Sequence, residues 1–152
     1  MSVTTSLATL FGRDLLRLQQ QIDAFPSDEA LWQTLPGITN SAGNLVLHLE
    51  GNLREFIGRQ LGGLPYRRQR PLEFTLNGFR REELNTRVAN LQLSIPSVIE
   101  RLSAEELERE YPEVVLDVAM PTQTFLIHLY GHLGWHLGQI DYLRRILTAE
   151  RP

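Results

Sequence analysis

The stretch LNTRVANLQLSIPSVIERL, residues 84–102, decides the fold. Its apolar positions Leu84, Val88, Leu91, Ile95, Val98 and Leu102 recur at alternating steps of four and three, the seam of a helix packed lengthwise against other helices. Pro96 interrupts this seam. A proline removes one backbone hydrogen bond, so a kink is expected there.

Working outward, three more segments show the same spacing, and none shows sustained alternation of period two. The first covers about residues 3–25, with Val3, Leu7, Leu10, Leu18, Ile22 and Phe25 along one side, and it ends before Pro26. Ser27 through Trp32 reads as a short helical turn. A second long helix starts at Asn40 or Ser41 and runs to Leu61, where Gly62 and Gly63 stop it; its buried line is Leu45, His48, Leu49, Asn52 and Phe56. The connection LPYRRQRPLEFTLNG, residues 64–78, is rich in arginine and proline and has room for a short extended piece. Ser103-Ala-Glu-Glu has the pattern of a capping box for another turn. The last helix spans about residues 122–149. The expectation is an all-α chain, residues 1–152 forming a single four-helix-bundle domain with short extra helical turns in the connections.

Composition narrows the function. A net charge of −3 and a pI near 5.8 leave no electrostatic footprint for nucleic acid. The chain has no cysteine, so disulfides, thiolate nucleophiles and thiolate metal ligands are excluded. All fifteen basic residues are arginine, which also removes lysine Schiff-base chemistry. Val118–Ile140 lacks formal charge over a length that could span a membrane, but it holds three histidines, two glutamines, two threonines and a proline. A buried helix with a polar inner line is the better reading. The start MSVTTSLATLFGRD shows no signal-peptide pattern, so a cytoplasmic protein without a membrane partner is expected.

The polar inner line is the stretch HLYGHLGWHLGQI, residues 128–140, with His128, His132 and His136 one turn apart. His48, the fourth histidine, lies on the apolar side of the second helix. A bundle builds metal sites from inward side chains on facing helices, and two histidines four apart form a natural pair. Residues eight apart are separated by about 12 Å along the axis, so His128 and His136 cannot share an ion. Spacing alone requires His132 and leaves its mate open between His128 and His136. Histidines held by hydrogen bonds without metal remain the competing reading.

HLGWHLGQIDYLRRIL, with SAGNLVLHLEGNLREFIG upstream, resembles the DinB-like (DinB/YfiT-like) superfamily of bacterial metalloenzymes, over essentially the whole chain. The resemblance implies a four-helix bundle, a three-histidine site for one divalent metal ion per chain (nickel, zinc or iron), and a homodimer. Carried over by motif, the ligands are His48, His132 and His136, since Gly138, Gln139 and Ile140 follow His136 as the signature requires; His128 is then no ligand. Some members resemble thiol-dependent transferases and others look like hydrolases. The resemblance therefore implies a small-molecule substrate, with a low-molecular-weight thiol as candidate cosubstrate. No catalytic side chain is assigned by it.

Supporting residues follow from position. Gln139, Asn52, His128 and Asn44 are candidates to orient a ligand ring or touch substrate, with helix capping equally able to explain Asn44. Arg67, Arg68 and Arg70 are candidates to hold an anionic group, against the alternative of a solvated loop. Glu50 and Glu55 are candidate general bases, with salt bridging the competing role. Gly131, Gly134 and Gly138 share a flank beside Trp135 that admits either a neighbouring helix or a second subunit. Two functions compete: a metal-dependent transferase or hydrolase, and a non-catalytic bundle whose histidines or metal shape a cavity or stabilise a dimer.

Overall fold

The computed structural model describes residues 1–149. Helix α1 spans Val3–Ala24, α2 Ala42–Leu53, α3 Arg70–Thr75, α4 Arg81–Glu100, α5 Ala104–Glu108 and α6 Thr122–Thr148. Helices α1, α2, α4 and α6 form the bundle. Helix α1 borders α4 and α6, and α2 borders the same two, so α1 and α2 sit on a diagonal. Among the described residues there is no strand, only two isolated bridges that close a tight turn in the connection before α6. No described helix is long and apolar enough to cross a membrane.

The local signals explain most boundaries. Ser41 caps α2 by accepting a hydrogen bond from the Asn44 amide, and Ser103 with Glu106 makes the reciprocal pair of a capping box at α5. Helix α1 ends at Ala24 ahead of Pro26. Beyond Leu53 the second helix widens into a π-turn over Arg54–Arg59, so it reaches the glycines at 62–63 by a route the spacing did not indicate. Pro96 does not interrupt α4, which is helical from Arg81 to Glu100. Gly12 on α1 faces the proline ring: a Cβ there would lie 3.7 Å from Pro96 Cγ. The 64–78 connection contains no extended strand. It folds instead as the short helix α3, with Pro71 in its first turn, where the missing N–H removes no bond.

The core is built from Phe11, Leu15, Leu18 and Ile22 of α1, Leu49 and Leu53 of α2, the α4 seam, and Phe125, Leu129, Leu133 and Ile140 of α6, all essentially inaccessible. In α1 the packed line is centred on Phe11 and Leu15, while Val3 at its start is exposed. A polar cluster adds a constraint on rotation. Tyr130 of α6 donates its hydroxyl to buried Asp14 of α1 at 2.8 Å, and Arg13 and Arg17 bond the same carboxylate. With Tyr130 turned toward α1, the histidine face of α6 turns toward α2.

A histidine cluster between α2 and α6

His48 is 7 % exposed between Leu45 and Leu49 on the buried side of α2. Its Nε2 lies 3.1 Å from Nε2 of His132, which lies 3.1 Å from Nε2 of His136. The three rings meet nearly edge to face. These are the described residues whose ligating atoms all fall within 4.8 Å of one another.

The outer edge of each ring fixes where its proton sits. His48 Nδ1–H donates to Glu73 Oε2 at 2.8 Å, and His136 Nδ1–H donates to Gln139 Oε1 at 2.7 Å. With its single ring proton at Nδ1, each of these imidazoles aims an Nε2 lone pair at His132. His132 Nε2 carries at most one proton and satisfies one of them, while its buried Nδ1 has no partner. A proton on that Nδ1 leaves three lone pairs converging on one point. Metal–nitrogen bonds of about 2.1 Å, at angles between octahedral and tetrahedral, place ligand nitrogens about 3.0–3.4 Å apart. The two separations of 3.1 Å fall in that range and all three atoms lie within 4.8 Å of one another, an arrangement that fits a divalent ion held by three imidazoles.

The electrostatics keep His132 and His136 neutral. Burial, reinforced by the neighbouring histidines, pushes His132 down to about 4. Burial also lowers His136, partly opposed by its bond to Gln139. Burial alone would raise the Glu73 carboxyl, but hydrogen bonds from His48 and Arg68 outweigh it and hold it below the usual range. Glu73 is thus an anion at neutral pH, gripped by Arg68 at 2.7 and 3.0 Å. The result is a buried chain from guanidinium to carboxylate to imidazole.

Glu73 was not legible in the sequence, because nothing in spacing relates a loop glutamate to a histidine 25 positions earlier. One signal was available: Gly51, a helix-weakening residue inside α2. A Cβ there would collide with Glu73 Oε1 and its carboxyl carbon, so a side chain at 51 would push the carboxylate from its place between Arg68 and His48. Asn44 holds the same element from its end. Its amide donates to the Glu73 and Leu76 carbonyls at 3.0 and 2.8 Å, tying α3 to α2.

The other candidates fall in different places. His128 stays outside the cluster, exposed and stacked on Phe125 with ring centres 5.8 Å apart. Asn52, one turn beyond His48, is 6 % exposed, and its Oδ1 has no hydrogen-bond partner. Arg68 is spent on Glu73 rather than open to an anion. Arg67 is exposed, and Arg70 lies over Phe74, whose ring packs 5.0 Å from His48. Glu50 is buried but held by Arg54 and Arg87, and Glu55 is held by Arg59; neither is in the cluster.

Two expectations follow. Between about pH 6.5 and pH 4, the unfolded chain binds a proton that folded His132 refuses, so acidification through that window destabilises the metal-free protein. Urea unfolding at about pH 7 and about pH 4.5 should show a smaller loss for His132→Leu than for wild type. Equal losses would contradict the depressed basicity. Second, Glu73→Gln and Gly51→Ala should each weaken metal affinity about 10–100-fold in a competition titration, by releasing the His48 ring. Unchanged affinity in both would remove Glu73 from the site.

Compared by sequence, the chain matches no protein-family model and no curated protein. Compared by structure, it is similar to a solved DinB-like protein from Bacillus cereus, with a TM-score of 0.69, 17 % identity, and coverage of 91 % of this chain and 89 % of that one. At that identity the likeness concerns the fold. The arrangement of helices that brings His48 to His132 and His136 is the helical-bundle fold that this chain shares with that DinB-like protein.

Proposed function

We propose that the chain is a divalent-metal-dependent enzyme, a thiol-dependent transferase or a hydrolase acting on a small molecule. The observation that carries this reading is the convergence of three Nε2 atoms whose outer nitrogens are committed or buried. His48, His132 and His136 would hold nickel, zinc or iron. Bound there, the ion supplies a Lewis acid that lowers the pKa of a coordinated water or thiol toward neutrality.

The chain's own groups set the conditions for that chemistry. No carboxylate is in the ligand set, so no ligand carries a formal negative charge, and Glu73 acts on the site only through the His48 ring. Glu73 fixes the His48 ring and Gln139 fixes the His136 ring, each through Nδ1. Burial keeps His132 unprotonated at neutral pH and its lone pair free. The reading places the protein in the cytoplasm, where low-molecular-weight thiols stay reduced.

We also propose a homodimer across the outer flank of α6. Gly131, Gly134 and Gly138 face no other described residue within 4 Å, which sets aside their service to a neighbouring helix. Ile127 and Trp135 beside them on α6 are both more than half exposed. A second copy would cover this surface. Light scattering should give twice the 17.4 kDa chain mass at micromolar concentration, and Gly134→Arg should return it to 17.4 kDa. A wild-type monomer would refute the dimer.

Metal analysis of untagged protein reconstituted with nickel, zinc or iron should find one ion per chain. His132→Ala should abolish binding, and His128→Ala should leave it unchanged. Loss in the His128 variant with retention in a His136 variant would overturn the ligand set. Stoichiometric metal without thiol conjugation or hydrolysis across a broad substrate panel would favour the non-catalytic bundle.

A further inference from the structure

Beside the histidine cluster lies a cavity of about 450 Å³ between α2, α6 and the turn that precedes α2. His136 is part of its wall. Ile38, Leu45, Leu143 and Ile146 supply most of the remainder, and Asn40 and Gln139 offer hydrogen bonds. No arginine, aspartate or glutamate lines it. Three smaller hollows elsewhere on the molecule are each lined by charged side chains: Arg54 and Arg87 in one, Glu50, Arg67 and Glu73 in another, Glu106 and Arg109 in the third.

The sequence builds this wall deliberately at one point. Pro36 and Gly37 form a turn closed by the Ile38 amide on the Leu35 carbonyl at 2.9 Å. Gly37 adopts φ +79°, which a side chain would disfavour, and Ile38 follows directly as a wall residue. On α6, Gln139 has its Oε1 occupied by His136, so the two amide hydrogens remain for another acceptor.

We infer that this cavity takes the body of a neutral, largely apolar substrate, with its reacting end toward His136 and the histidine cluster. The inference rests on the metal reading for the identity of that end and on the wall alone for the body. A carboxylate or phosphate on that body, away from the histidines, would lose part of its water and find no cationic side chain in the wall in return, whereas an aromatic or aliphatic body gains from leaving water. An acceptor on the substrate is met by the Gln139 amide. Specificity therefore comes from exclusion of charge.

Benzyl mercaptan and 4-(mercaptomethyl)benzoate differ by one carboxylate and test this directly. Each is titrated against zinc-loaded and metal-free protein, with binding followed by ligand-observed NMR. The neutral thiol should bind at least about tenfold tighter in both states, and zinc should tighten both ligands. Ile38→Arg, at a loop position 46 % exposed, should narrow the preference below about twofold or invert it. Equal affinities, or tighter binding of the carboxylate to wild type, would overturn the inference while leaving the metal site standing. A chain that takes up no zinc would overturn the proposed function instead, and the preference on metal-free protein would still decide the cavity.

Discussion

Imidazoles do not gather with one ring nitrogen 3.1 Å from each of two others unless something outside them forces it. At most one proton on His132 can satisfy one of the two lone pairs aimed at it. The force comes from the outer edge of the cluster. Glu73 and Gln139 each take an Nδ1–H, which leaves His48 and His136 no choice but to turn their Nε2 atoms inward. Arg68 keeps Glu73 ionised despite burial, Asn44 ties α3 to α2, and Gly51 clears the volume the carboxylate occupies. Remove the carboxylate, and the reason for a glycine at 51 goes with it.

That arrangement explains why so much polar structure is invested in a small bundle. A buried carboxylate paired with an arginine contributes little to stability compared with an apolar pair of the same volume. Its value lies in orientation. The Asp14–Tyr130 cluster works at a larger scale, setting the rotation of α6 against α1 while the apolar seam sets the distance. Packing brings α2 and α6 together, and hydrogen bonds choose which atoms meet.

What the sequence disclosed follows the same division. The α4 seam from Leu84 to Val98 is buried as its spacing required, because periodic burial is a local property. The Ser41 and Ser103 caps were equally local. The choice between His128 and His136 was not decided by spacing. The structure brings His136 to the cluster and leaves His128 on Phe125, a separation that depends on where α2 crosses α6. Helix α3 and Glu73 were hidden for a related reason: the path of a loop through space decides which of its residues returns to His48. Arg68 read as a candidate for an external anion for lack of that partner, and Glu50 stayed open between general base and salt bridge because Arg87, one of its two partners, comes from another helix. Pro96 stays inside a continuous α4, its ring packed against Gly12 of α1, a neighbour that only the assembled bundle supplies.

The central claim is that three imidazoles surround one ion. X-ray absorption on the zinc-loaded, untagged protein tests it most directly. The account predicts three imidazole nitrogens at about 2.0–2.1 Å, with the outer-ring scattering that histidine gives, and the remaining positions filled by light atoms from solvent. A shell of oxygen alone, or fewer than two imidazoles per zinc, would contradict it.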